Sequence, residues 1–184
     1  MPAFLAWIDD DEPLSLDLLV AHARLGSDEA AALDTYLQTV VIPAARQLAE
    51  VRSGAAIRRA RFQESRPSAP RQDIQLGIGQ VYDIEQVTVG DATLDPSHYE
   101  LEIIDKDPRV RRVGDAWPVG KVTVVYQAGI EDLSRFPTVL HWMLLAATWM
   151  LEQPSMFTLE QAVQEMPSKF VDGLLAPISI DCRV

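Results

Sequence analysis

At 184 residues, 48% of them apolar, and with a formal charge of −11, the chain can bury one sizeable core but lacks the surplus of Lys and Arg that general nucleic-acid binding needs. Its single cysteine, Cys182, excludes an internal disulfide and a cysteine-rich metal site. The acid is concentrated at the ends: residues 1–34 carry eight carboxylates against Arg24, residues 152–184 five against Lys169 and Arg183, and the middle is close to balance.

The chain opens on an apolar patch, Phe4, Leu5, Trp7 and Ile8, followed by Asp9, Asp10, Asp11 and Glu12. Hard-cation loops alternate their ligands around a turn glycine, so this run reads as a solvated lead-in to a helix. The same carboxylates occupy the place where a signal segment's apolar region would run, and the chain is expected to stay where it is made. Ser15 is expected to cap a short helix carrying Leu16, Leu19, Val20 and Ala23, ended by Gly26. From Asp28 to Arg52, Leu33, Tyr36, Leu37, Val40, Val41, Ala44, Leu48 and Val51 recur every three or four residues, which predicts a long helix with one apolar stripe, capped by Ser27 and stopped at Gly54. Pro43 cannot donate to the carbonyl of Thr39, so a kink is expected near the middle.

After Gly54 the period changes to two. Ala60 and Phe62, then Ile74, Leu76 and Ile78, then Ile84, Val87 and Val89, then Tyr99, Leu101 and Ile103, and last Val122, Val124 and Tyr126 each read as a strand. Short turns without intervening helices predict an antiparallel sheet. Pro137 then opens a helix to Glu152 in which both faces are apolar: Leu140, Met143, Leu144 and Ala147 on one, Val139, Trp142, Ala146 and Trp149 on the other. It is shorter than the roughly 17 to 25 residues that cross a bilayer. Its second face, Val139, Trp142 and Trp149, is expected to meet another subunit. The closing stretch, with Phe170, Leu174, Leu175, Ile178 and Ile180 broken by Pro154, Pro167 and Pro177, is expected to dock as a tail.

Chemistry-bearing constellations are sparse. Gly77 and Gly79 give a G-x-G without a third glycine or a following helix, and His22, His98 and His141 are not at metal-ligand spacing. No catalytic residue, cofactor or metal site is assigned. One local charge cluster opposes the global sign: Arg58, Arg59, Arg61, Arg66 and Arg71 against Glu64. With few interleaved aromatics, it is read as an edge (Arg58, Arg59, Arg61) that meets the acidic end of a neighbouring copy or partner rather than nucleic acid.

The succession "LSLDLLVAHARL", "GSDEAAALDTYLQTVVIPAARQLAE", "LDPSHYELEI", "AWP", "VTVVYQAGI", the apolar helix from Pro137 and "MPSKFVDGLLAP" resembles the head-tail connector (adaptor) proteins of tailed bacteriophages, over about Pro13 to Ile178. The resemblance implies a non-enzymatic virion protein at the head-tail junction, made in the bacterial host cytoplasm. Such a protein assembles as a ring, usually twelve-fold, beneath the portal after DNA packaging and offers a landing surface for stopper or tail-completion proteins. DNA would pass through the lumen without specific binding, and the portal contact would fall on Phe170, Leu174, Leu175, Ile178 and Ile180. The expected fold is α+β in a single domain: helices over about 14–52 and 137–152, a β insertion over about 56–129, and a C-terminal tail over about 154–184. The alternatives are another phage neck or tail-completion protein, which the long helices oppose, and a small soluble ligand-binding or enzymatic domain, for which no converging polar groups are evident.

Overall fold

The computed structural model describes residues 2–68, 73–114, 116–152 and 173–180. The fold is α+β with antiparallel sheets. Its backbone contacts group into two compact units: Met1–Asp10, Gly54–Glu131 and Ile178–Val184 form one, and Asp11–Ser53 with Asp132–Pro177 the other.

The helical unit contains α1 (Leu16–Ala23), α2 (Ser27–Tyr36), α3 (Ile42–Ser53) and α4 (Pro137–Glu152). Ser15 caps α1 as expected, its Oγ accepting from Leu18 N–H at 3.4 Å. The helix ends not at Gly26 but at Arg24, which takes the left-handed conformation at φ 56°. Gly26 is instead the extended N-cap of α2, and Ser27 is that helix's first residue, its hydroxyl turned to Asp28 Oδ1. Leu37–Val41 forms a π-helical turn between α2 and α3, in which Ile42 N–H bonds the carbonyl of Leu37 five residues back. This wide turn sits directly before Pro43, whose missing N–H breaks the regular ladder at the carbonyl of Thr39. Gly54, at φ 69°, closes the helix as the sequence predicts.

The wide turn also revises the apolar stripe. Leu37 and Val41 are buried, but beyond the turn Ile42, Ala45, Arg46 and Ala49 face the interior, while Tyr36, Val40 and Val51 lie in solvent. One residue gained in a single turn rotates the whole of α3, which a fixed 3.6-residue period cannot anticipate. Helix α4 packs on α3 and α1 and buries Val139, Trp142, Met143, Leu144, Ala146 and Ala147. Arg46 is buried with its guanidinium on Glu12 Oε2 at 2.7 Å and on Glu50 Oε2 at 2.5 Å.

The β unit holds a five-stranded sheet in the order β1 (Ala3–Trp7), β2 (Ala60–Arg66), β8 (Val122–Ala128), β4 (Val81–Val89), β5 (Ala92–Thr93). A three-stranded sheet runs β3 (Ile74–Gln75), β7 (Asp107–Arg112), β6 (Tyr99–Ile104). The single inserted sheet of the sequence reading is therefore two. In β8 burial alternates along the strand, so that Val122, Val124, Tyr126 and Ala128 all enter the core with Val81, Val87, Ile74 and Val110. Asp105 and Lys106, at φ 50° and 74°, make the two-residue turn that pairs Ile104 with Asp107. The chain thus continues as β7 through Pro108, where an exit had been expected. The opening patch is also a strand, paired to β2 with a bulge between Phe4 and Ala6.

Candidate assembly surfaces

The described residues singled out from the sequence can each be traced to a place. Val139 and Trp142 of the face expected to meet another subunit are wholly buried in the subunit, and only Trp149 keeps partial exposure. The guanidinium of Arg52 lies 5.8 Å from the Trp142 ring centroid, so the second apolar side of α4 is covered from within the helical unit. In the closing stretch, Gly173–Leu175 is a short 3-10 turn that packs on α4 and α3 and buries Leu175. Ile178 is buried, and Ile180 packs where a Cβ on Gly79 would come within 2.8 Å of its Cγ2. Leu175 and Ile178, both named for the portal contact, are thus buried within their own chain, and Ile180 is half-buried. Leu174 is half-buried, and Phe170 lies outside the described residues.

The close approach at Gly79 also accounts for the G-x-G. Gly79 N–H donates to Gly54 O at 2.9 Å and Gly77 N–H to Glu64 Oε1 at 2.7 Å, so the pair joins backbone segments and forms no phosphate loop.

Four arginines of the cluster are engaged internally as well, and Arg71 lies outside the described residues. Arg58 Nη2 donates to the carbonyls of Asp9 and Asp10, both at 2.8 Å, while its guanidinium lies over Trp7 at 4.5 Å. Arg59 Nε donates to Tyr82 Oη at 3.2 Å and its Nη1 lies 3.6 Å from Asp9 Oδ1; the hydroxyl contact, ahead of the nearby carboxylates, raises its pKa. Arg61 Nε reaches both oxygens of Glu85 at 2.9 Å, which holds that carboxyl below its ordinary range, helped by Gln127. Arg66 donates to Gln75 O. Within the chain, the carboxylates of Asp9 and Glu85 pair with Arg59 and Arg61, and the backbone carbonyls of Asp9 and Asp10 accept from Arg58. Pairing across the β unit was not legible from a local charge count, because Asp9 and Arg58 lie far apart in sequence.

Two surfaces that the sequence reading did not assign remain apolar and exposed. On β1, Phe4, Leu5 and Trp7 stand out from an outermost strand, and the bulge brings the Phe4 and Trp7 rings to 4.7 Å. On the long helix, Tyr36, Val40 and Val51 are exposed. His22 and His141 meet edge to face at 5.8 Å between α1 and α4. Among the described residues no group of three or more His, Cys, Asp or Glu is placed to hold a metal ion, and no helix is long and apolar enough to cross a membrane.

No protein-family model and no curated relative matches the sequence. Solved structures do. The chain is similar to a chain from the neck of an empty gene transfer agent (GTA) particle computed with C6 symmetry, at 22% identity and a TM-score of 0.75, over 100% of this chain and 97% of that one. A chain from the virion of a native GTA particle matches at 22% identity and a TM-score of 0.74, and one from a native neck computed with C12 symmetry at 19% and 0.67, both with the same coverage. Across its whole length, the chain therefore has the fold of subunits found in the neck of a phage-like particle.

Proposed function

We propose that this chain is a structural head-tail connector (adaptor) subunit, which forms a ring beneath the portal of a tailed phage or phage-like particle and presents the attachment surface for stopper or tail-completion proteins. The observation that carries this reading is end-to-end similarity to neck chains: 100% of this chain against 97% of a chain from a GTA neck. The symmetric reconstructions of those necks support a ring. The acidic balance of the chain suits a channel through which DNA slides without sticking.

The portal contact, on this reading, draws on the closing stretch at Leu174, which is half-buried while Leu175 and Ile178 are buried, and on Phe170, which lies outside the described residues. The test is co-sedimentation with the portal ring encoded in the same particle genome. Stoichiometric binding to assembled portal is expected, weakened by the double variant Phe170→Ser/Leu174→Ser. A chain that never sediments with the portal rules out the adaptor role.

A further inference from the structure

Among the α-helices of the described residues, only α2 has no buried residue. Of Ser27–Tyr36, Ala30, Leu33 and Asp34 are half-buried and the rest are exposed. The other helices each enter the core: α1 through Leu19, α3 through Ile42, Ala45 and Ala49, and α4 through Val139, Trp142 and Met143. The principal packing of α2 is on the Leu37–Val41 turn that continues it.

Its ends are lightly held. Gly26, the N-cap, offers no side-chain acceptor, so the first turn has the dipole attraction of Asp28 and Glu29 but no cap bond. The side-chain bonds it makes with the next turn are local: Gln38 Nε2 donates to Asp34 Oδ1 at 3.0 Å, and Thr39 Oγ1 donates to Thr35 O at 2.7 Å. At the wide turn the ladder changes register, with Ile42 N–H reaching back to the carbonyl of Leu37.

A helix that buries nothing is stabilised only by backbone propagation and local pairs. Leu37 and Val41, both buried, supply the costly nucleus, so α2 is an extension added one residue at a time. Each step multiplies the helical population by about 1–1.6 for good formers such as Ala30, Ala31, Ala32 and Leu33, and by less for Ser27, Asp28, Asp34, Thr35 and Tyr36. Helical and unwound forms of 27–36 are therefore close in population, whereas opening α3 or α4 exposes the core of the helical unit.

We infer that α2 is an independently opening arm: in the free subunit, Ser27–Tyr36 interconverts between helix and unwound chain about the wide turn while α1, α3 and α4 stay folded. Such an arm lets the surface of the subunit reshape on assembly without opening its core. It is a property of the free subunit and holds whatever the chain assembles with.

The experiment is quench-flow hydrogen exchange on the full chain, read by peptide mass spectrometry from milliseconds to hours. Amides of 30–36 are expected to exchange about two- to tenfold slower than unstructured chain, and those of α3 and α4 at least ~1,000-fold slower than those of α2. The variant Ala31→Gly/Ala32→Gly alters two exposed side chains. It is expected to remove the protection of 30–36 and to leave the urea midpoint within about 0.2 M of wild type. Were α2 part of the cooperative core, two interior glycines would lower that midpoint by about 1 M, and this result overturns the inference. Protection of 30–36 within about tenfold of that of α3 overturns it as well. So does an absence of protection that the helix-favouring Thr35→Ala leaves unchanged, since α2 would then not form in the free subunit.

Discussion

Replacing Arg46 by Met probes the helical unit at its most exacting point. The Arg46 side chain is 4% exposed, and its guanidinium holds Glu12 at 2.7 Å and Glu50 at 2.5 Å, carboxylates that are only 16% and 19% exposed. At an effective dielectric near 20, a charge pair about 4 Å apart attracts by roughly 4 kcal/mol. Desolvation of the three groups cancels most of that gain, so the intact network adds little net stability. Breaking it is different. Met fills the volume but leaves two mostly buried carboxylates without their cation, at a cost of about 3–5 kcal/mol. With a urea dependence of ~2 kcal/mol per molar, the midpoint should fall by about 2 M. Urea titration observed at 222 nm, with tryptophan fluorescence reporting buried Trp142, reads this shift. The triple variant Arg46→Met/Glu12→Gln/Glu50→Gln, which removes the stranded charges, should recover most of the loss. A midpoint shift below about 0.5 M for Arg46→Met would refute the reasoning, since it would mean that water reaches these carboxylates.

Gly129 has φ 141°, and a Cβ there would lie 2.5 Å from Arg59 Cα; Gly129→Ala should cost about 3–5 kcal/mol in chemical denaturation, from backbone strain and overpacking together. Gly173→Ala, with open space around it, should be within about 0.5 kcal/mol of wild type in the same assay. The Tyr126 hydroxyl donates to Glu64 Oε1 at 2.6 Å, and its pKa is raised far above the ordinary phenol range, first by burial and then by Glu64, so it remains a proton donor at any working pH. Tyr126→Phe should lower stability by roughly 1.5–3 kcal/mol, the worth of a hydrogen bond to a charged group. Glu85, whose pKa is lowered chiefly by Arg61, contributes stability that is present above the ordinary carboxylate range and lost as pH falls through its depressed pKa. Thermal melts of Glu85→Gln should therefore show a shallower acid limb than wild type and converge with it at low pH.

The succession of elements was legible because periodicity and breakers report on local backbone. Val122, Val124 and Tyr126 alternate into the core, Pro137 opens α4, and Ser15 caps α1. What failed were features set by neighbours in space. Asp105 and Lys106 adopt positive φ without a glycine to announce it, so β7 was hidden behind Pro108. Phe4 to Trp7 shows no alternation because β1 is an edge strand with a bulge. The apolar stripe of the long helix holds at Leu37 and Val41 but loses Val51 to solvent beyond the wide turn, which sits directly before Pro43. The surfaces were the least legible. Val139 and Trp142 were read as partner-facing because a helix apolar all round needs more cover than the sequence visibly offers, yet both are buried in the fold. The arginines looked free because their partners, Asp9, Asp10 and Glu85, lie far away in the sequence.

The most direct measurement of the central claim is cryo-electron microscopy of particles from the genome that encodes this chain, with the reconstruction focused on the junction of head and tail. A closed ring of copies of this fold around the channel is expected. A neck fully accounted for by other proteins, with no density that fits this chain, would contradict it.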